Sequence, residues 1–568
     1  REPLTLASSA SGAESLLDGL DPAQRRAAMA LRGPVVILAG AGTGKTRTIT
    51  HRIAYGVATG AYTPSRTLAL TFTTRAAGEL RARLRALGAG EVPARTFHSA
   101  ALSQLAHFWP QVVGGSAPRV LEGKARLLGE AADAIGLRSD QATLRAIAGE
   151  IEWRKVSCLS IAEYAAVDRP LPPGLDRGAV LALQQAYEDR KDELRRMDFE
   201  DVLLATAGML ETESGVAAAV REQYRAFTVD EVQDVSPLQE RLLRLWVGTR
   251  RDLCVVGDAN QTIYGFTGAS ASFLLGFARE HQDAEVVSLA ASHRSSPEIL
   301  VMANRLMRGK PGAIELAPVA DSTPAGRTPD PQILAYADDR AEIAAMVDAV
   351  VADLASGISA SKIGVLVRIN AQVPPIERAL KAVGIQVAVR GDAAFFERPE
   401  VREASVHLLA AKRSTPAGEP LTSTVRGVLS SLGWSPVAPK VIGKARERWT
   451  ALDALHRLAD ETGDETPLGD FLDDLLERQA SLDPPIAEAV VVATMHAVKG
   501  LEFESVHVLG VAEGLVPLSY STTSAQLDEE RRLLYVAITR ARTRLRISSA
   551  GRPPSRFLAE LAPSDPDR

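Results

Sequence analysis

The stretch VVILAGAGTGKTRTIT, residues 35–50, decides the fold. A short apolar run breaks into glycines and then into a polar segment of helical character, which is the order strand, phosphate loop, helix N-terminus. Gly40, Gly42 and Gly44 let backbone N–H groups turn inward with no Cβ in the way. Lys45 can reach the β- and γ-phosphates, and the Thr46 hydroxyl suits Mg²⁺. Ala39 stands where the G-x-x-x-x-G-K-[ST] pattern has its first glycine, so the expected cradle is Ala39, Gly40, Ala41, Gly42, Thr43, Gly44, Lys45 and Thr46. A nucleoside triphosphate is the expected ligand.

Outward from this loop, apolar β-rich runs recur at VVILAG, TLALTF, AFTVDE, DLCVVGD and EVVSLA with helical sequence between them, the pattern of a parallel α/β sheet. A second series, QILAY, IGVLVR, VVVATMH, VHVLGV and LRISS, follows without a phosphate loop of its own. Residues 101–197 and 401–488 are mostly helical Ala/Leu/Arg/Glu sequence, and each interrupts one series. The expected fold class is therefore α/β, with two parallel-sheet domains each carrying an inserted helical subdomain. The expected boundaries are 21–100 with 198–290 for the first domain and 101–197 for its insertion, then 291–400 with 489–556 for the second and 401–488 for its insertion. Residues 1–20 and 557–568 are read as frayed ends.

Composition narrows the use of the nucleotide. The chain has 568 residues, 46% of them hydrophobic, enough for several cores. Its two cysteines, Cys158 and Cys254, lie far apart, which indicates neither a disulfide framework nor a zinc site. No apolar run approaches the length of a membrane span, and residues 1–20 lack the apolar core of a signal peptide, so a cytoplasmic location is expected, with no membrane partner. The net charge of −5 means that any nucleic-acid binding rests on a local basic groove.

In AFTVDEVQD, residues 226–234, an apolar strand ends in two acids. Asp230 is placed to hold Mg²⁺, and Glu231 to polarise the water that attacks the γ-phosphate. A solvated strand end is the plain alternative for this segment alone. Beside a phosphate loop, it points to hydrolysis.

A dozen ordered blocks between about residues 20 and 550 resemble the UvrD/Rep/PcrA-type branch of superfamily 1 DNA helicases: LDPAQRRA, AGAGTGKT, TFTTRAAGEL, TFHSAAL, DFEDVL, VDEVQDVSPLQ, VVGDANQTIYGFTGAS, SHRSSPEIL, VLVRINAQ, RGDAAFFERPEV, TMHAVKGLEFESV and EERRLLYVAITRA. The resemblance implies two RecA-like domains with ATP and Mg²⁺ in the cleft between them. It implies that Gln24 reads the adenine, that Lys45 and Thr46 hold phosphate and metal, and that Arg47 lies beside the nucleotide. Gln261 would sense the γ-phosphate, Arg294 and Arg540 would act as arginine fingers, and Glu502 would face the ribose on a loop shaped by Lys499 and Gly500. Thr71, Phe72, Thr73, His98, Tyr264, Phe266, Thr494 and His496 correspond to positions lining a single-strand groove, where aromatics stack on any base and hydroxyls meet phosphates.

Three departures carry expectations of their own. Phe266-Thr267 replaces the family's Trp-Arg pair, which shrinks the stacking platform and alters the coupling of DNA to ATP. His293 replaces the tyrosine that stacks on adenine, giving a smaller, titratable face. The insertion at 401–488 is about half the family's length, although RERWTALDALHRLADE keeps helical spacing. The expected function is an ATP-dependent 3′→5′ helicase and translocase on single-stranded DNA and tailed or forked duplexes, in repair or replication at the nucleoid, with repair proteins as further partners. The alternatives are a translocating ATPase that strips proteins or serves a repair nuclease, and an ATP-gated DNA-binding module. The chain is also expected to be a motor excised from a longer protein with a C-terminal module that governs loading.

Overall fold

The structure is a computed structural model that describes residues 12–121, 123–172, 174–319, 328–390, 394–412, 418–439, 444–480 and 488–562. The chain forms two units, Arg1–Leu38 with Thr46–Ser288 and Ala39–Lys45 with Leu289–Arg568.

The first unit is built on a six-stranded sheet of β1 (Val35–Ala39), β2 (Thr67–Thr71), β3 (Ala94–Thr96), β4 (Ala226–Val229), β5 (Leu253–Gly257) and β6 (Glu285–Leu289), in the order β3-β2-β4-β5-β1-β6. Val35 pairs with Cys254, Thr67 with Ala226 and Ala69 with Ala94, all in parallel register. Every residue of β2, β4 and β5 is buried, because helices cover both faces of a parallel sheet and leave no solvated side to alternate with. Among the packed helices, Trp246 is fully buried, with its Nε1–H donating to Gln104 Oε1 at 2.8 Å.

The helical insertion of this unit has its own core around Leu128, Ile147, Ile151, Tyr164, Leu183 and Tyr187. A buried charge cluster fastens it to the helix Phe199–Thr212. Lys155 Nζ donates to Asp198 Oδ2 at 2.8 Å and Asp201 Oδ1 at 2.6 Å, and Lys191 Nζ bonds the same two acids. Asp198 and Asp201 also form the capping box of that helix, which gives the DFEDVL block a structural task invisible in the sequence.

The second unit has a sheet of β7 (Gln332–Tyr336), β8 (Ile363–Val367), β9 (Val387–Arg390), β10 (Val490–Thr494), β11 (Phe503–Val508) and β12 (Ala541–Ala550), ordered β7-β12-β11-β8-β10-β9. All its pairings are parallel. β11 begins earlier than the run VHVLGV indicates, and takes Glu504 and Ser505 into the strand. Ser505 and His507 are buried there because both hydrogen-bond Asp353 Oδ2, at 2.5 and 3.0 Å, while Arg544 Nη1 donates to Asp353 Oδ1 at 2.7 Å. The insertion of this unit consists of the helices Pro399–Ala411, Leu421–Ser431, Lys444–Thr462 and Leu468–Ala480 around Trp434, Trp449, Leu452 and Phe471. The short segment thus folds with a core of its own.

Candidate nucleotide and nucleic-acid site

In the first unit, the side chains singled out by sequence gather at one edge of the sheet. Asp230 follows β4, Asp258 to Gln261 follow β5, Phe72 follows β2 and His98 follows β3, and each of these strands ends at the same edge because all are parallel. Asp230 is buried, and its Oδ1 accepts from the Glu231 N–H at 2.9 Å. Glu231 itself has φ +53°, a left-handed conformation that costs a bulky residue free energy and is concentrated at functional positions. Gln233, fully buried, ties this acid to the neighbouring loop. Its Nε2 donates to Glu231 Oε2, and its Oε1 accepts from the Asp258 N–H at 3.0 Å. Asp258 Oδ2 in turn accepts from Gln261 Nε2 at 2.7 Å, so the expected general base and the expected γ-phosphate sensor share one hydrogen-bonded chain. Gln233 stands three residues after Asp230 in AFTVDEVQD, and an amide there, able to donate to one loop and accept from the other, is the signal the sequence carries for this link.

Gln24 is buried on the helix Pro22–Met29 and closes a capping box with Asp21, its Oε1 accepting the Asp21 N–H at 3.2 Å. The segment that carries it is fastened to the helix Lys45–Ala58 by Arg47 Nη2, which donates to the Gly19 carbonyl at 3.0 Å, by the His51 ring and the Leu16 carbonyl, and by Arg52 Nη1 and the Ala30 carbonyl.

The phosphate loop fits the group it is expected to hold. Gly42 and Gly44 have φ of +76° and +77°, and a Cβ on Gly42 would stand 2.6 Å from Ser292 Oγ and 2.7 Å from Arg294 Cβ. Lys45 opens a fourteen-residue helix whose first N–H groups have no intrahelical acceptor, an anion site by construction. The loop carbonyls are held from outside, with Ser292 Oγ donating to Ala41 O at 3.1 Å and the His293 N–H to Gly42 O at 2.9 Å. Among the described residues no three His, Cys, Asp or Glu side chains converge as metal ligands.

In the second unit, Arg294 donates from Nε to Glu502 Oε2 at 3.0 Å and from Nη1 to the Thr539 carbonyl at 3.3 Å. Burial works to raise the Glu502 pKa, but the Arg294 guanidinium and then Arg542 hold it below the ordinary carboxylate value. Arg540 behaves differently from Arg294. It is 1% exposed, and its guanidinium donates to the carbonyls of Val536 at 3.0 Å and Leu501 at 3.1 Å. A finger reaching out from position 540 would have to leave these bonds.

Of the residues assigned to DNA, Phe72 is 37% exposed and stacks on Tyr264 with ring centroids 5.9 Å apart and planes 17° from parallel. Thr71 is buried at the end of β2, and Thr73 caps the next helix by accepting the Ala76 N–H at 3.2 Å. Burial, reinforced by the Lys124 ammonium, pushes the His98 imidazole down to about 4, and burial with Arg368 does the same to His496. Thr494 ends β10 and His496 follows it, level with Arg368 at the end of β8. The side chain of Phe266 lies outside the described residues. No helix among them is long and apolar enough to cross a membrane.

A family model for the UvrD/REP helicase N-terminal domain matches residues 20–282, and one for the UvrD-like helicase C-terminal domain matches 287–417 and 421–552. The chain belongs to the UvrD/REP helicase family. It is 43% identical to the ATP-dependent DNA helicase UvrD2 of Mycobacterium tuberculosis (strain ATCC 25618 / H37Rv), over 97% of this chain and 82% of that protein. It is 28% identical to the ATP-dependent DNA helicase PcrA of Leuconostoc citreum, over 97% and 86%. With DNA helicase II of Escherichia coli (strain K12) the identity is 26%, over 96% and 88%. The UvrD-type fold, two parallel-sheet α/β domains with helical insertions, is the one expected from the strand series.

Proposed function

We propose that this UvrD/REP-family chain is an ATP-dependent DNA helicase that translocates 3′→5′ on single-stranded DNA, acting in repair or replication. The observation that carries the hydrolytic part is Glu231, held in a left-handed conformation beside Asp230 with its carboxylate bonded to Gln233. A side chain kept in a costly backbone conformation by a buried partner is one whose direction matters.

In this reading Lys45 and the loop N–H groups bind the phosphates, Thr46 and Asp230 would hold Mg²⁺, and Gln24 reads the base. A bound Mg²⁺ would screen the phosphate charge. Glu231 takes a proton from water as the water oxygen bonds to the γ-phosphorus and the bond from that phosphorus to the bridging oxygen of ADP breaks. Arg294 and Arg540 meet the charge that develops on the transferred group, and Arg540 must first exchange its carbonyl partners for phosphate oxygens. Phe72 and Tyr264 offer stacking faces, while His98 and His496, neutral at ordinary pH, give or accept hydrogen bonds along the strand. The location is cytoplasmic, at the nucleoid. ATPase measured without DNA, with single strands, and with 3′- or 5′-tailed duplexes tests the proposal. It requires stimulation by single strands and unwinding of the 3′-tailed duplex, and ATPase indifferent to DNA would refute it.

A further inference from the structure

Glu502 has two carboxylate oxygens, and they are shared. Arg294 takes Oε2 at 3.0 Å, and Arg542 Nη1 takes Oε1 at 2.8 Å. Arg542 is the second residue of β12 and sits on a fixed backbone. Its carbonyl accepts the Ser296 N–H at 2.8 Å, and the neighbouring Ala541 carbonyl accepts from Ser295 Oγ at 2.6 Å. Glu504 Oε2, 3.7 Å from Arg542 Nε, is itself held by Thr543, whose Oγ1 donates to Glu504 Oε1 at 2.8 Å. The Arg542 and Glu502 side chains are 42% and 41% exposed, open to a ligand, whereas Arg294 is 18% exposed. Nothing in the sequence distinguishes Arg542 from Arg544 and Arg546 of ITRARTRLR.

We propose that Arg542 is a positioning residue of the nucleotide site, anchoring one oxygen of Glu502 so that the other can exchange the Arg294 guanidinium for a ribose hydroxyl. The inference rests on the reading of the site as one that hydrolyses ATP, with Glu502 toward the ribose and Arg294 toward phosphate. Without nucleotide, Arg294 rests on Glu502. When a ribose hydroxyl donates to Oε2 it takes over that acceptor, and Arg294 leaves for phosphate. Arg542 keeps the carboxylate aimed and its charge compensated throughout, so the guanidinium departs without stranding an anion.

The test is steady-state ATPase of the full chain with saturating single-stranded DNA. Arg542→Ala should lower kcat about three- to fivefold, the scale of one partly exposed ion pair, because Glu502 then follows Arg294. Arg542→Lys, which keeps one charged donor, should recover part of the loss. Adding Glu502→Gln to Arg542→Ala should raise kcat above that of Arg542→Ala alone, since a neutral amide releases Arg294. The deficit of Arg542→Ala should also shrink as salt is raised from 50 to about 300 mM. A double variant slower than Arg542→Ala, or Arg542→Ala equal to the parent, overturns the anchor while leaving the ATPase reading intact. Absence of ATP turnover in the parent chain would overturn that reading, and the anchor with it.

Discussion

The two sheets distribute their chemistry differently. In the first, apart from Gln24 on the helix Pro22–Met29, the residues assigned to nucleotide and those assigned to DNA stand at or after the C-terminal ends of parallel strands, on loops joined by side chains such as Gln233. In the second, Glu502, Arg540 and Arg542 stand at the N-terminal ends of β11 and β12, whereas Arg368, Thr494 and His496 stand at the C-terminal ends of β8 and β10. Strands of five or six residues span roughly 17–20 Å. In the first sheet the two assigned sets can therefore be linked by hydrogen bonds between neighbouring loops. In the second the two assigned sets are separated by the length of whole strands, with all of β8 buried and β11 paired to it in parallel.

The largest test of this contrast lies in the first sheet. Glu231→Gln should bind ATP and lose turnover by up to about ten-thousandfold, the upper range for a general base. Lys45→Ala should instead weaken nucleotide binding, as equilibrium binding of a fluorescent ATP analogue reports. Near-parental hydrolysis by Glu231→Gln would remove the base from the first sheet altogether.

Next come the two arginines of the second unit proposed as fingers. Arg294→Ala should lower kcat about a thousandfold with little change in melting temperature. Arg540→Ala should lower both, because burial turns the carbonyl of Leu501 into an orphaned acceptor at about 1–3 kcal/mol, while that of Val536 keeps the Thr539 hydroxyl at 3.1 Å. Calorimetry beside kinetics separates the two, and equal melting temperatures would show that Arg540 does not need its buried seat.

The imidazoles at the two DNA-assigned edges should respond to acid alike. His98 and His496 are both pushed to about 4 in the folded chain, below the ordinary value near 6.5. The unfolded chain therefore binds more protons between those values, and folding stability falls as pH drops from about 6.5 toward 4, by up to about 3 kcal/mol per histidine. Urea unfolding at pH 7 and pH 5 measures the loss, and His98→Gln and His496→Gln should each flatten it.

The two strand series were legible because five-residue apolar runs bounded by glycine or acid have few other readings, and the helical character of the interrupting segments showed in their want of such runs. β3 and β9 were not, since Ala94-Arg95-Thr96 is short and polar and the run from Val387 to Arg390 sits at a sheet edge with half-buried side chains. The start of β11 was hidden by Glu504 and Ser505, polar residues that enter the strand because Asp353 receives Ser505 and His507 from below. Motif position pointed to Arg540 as a finger but carried no sign of its burial. Pairings between distant charges, such as Glu502 with Arg542, leave no trace in one sequence.

A smaller effect is expected from Phe266, a few residues beyond the γ-phosphate sensor assigned to Gln261. Base stacking contributes roughly 1–3 kcal/mol by alanine substitution. Phe266→Ala should accordingly leave basal ATPase nearly intact and strongly reduce its stimulation by single strands, with Phe266→Trp retaining or improving it. Unimpaired translocation by Phe266→Ala would shift the coupling to Tyr264. The smallest change concerns base choice. Gln24→Glu keeps an acceptor for the Asp21 N–H and so preserves the helix cap, yet loses the amide donor. Both this variant and Gln24→Ala should narrow the preference for ATP over GTP and lower the melting temperature, the first by burying a carboxylate beside Asp21 and the second by removing the acceptor of the cap.

The second unit's insertion keeps its own apolar interior around Trp434, Trp449 and Phe471. A part whose packing is solved internally places few conditions on the sheet it interrupts. Natural variation can then shorten or remodel it, and an engineer can treat it as an exchangeable cassette, while β10 on its far side, buried from Val490 to Ala493, admits no such freedom.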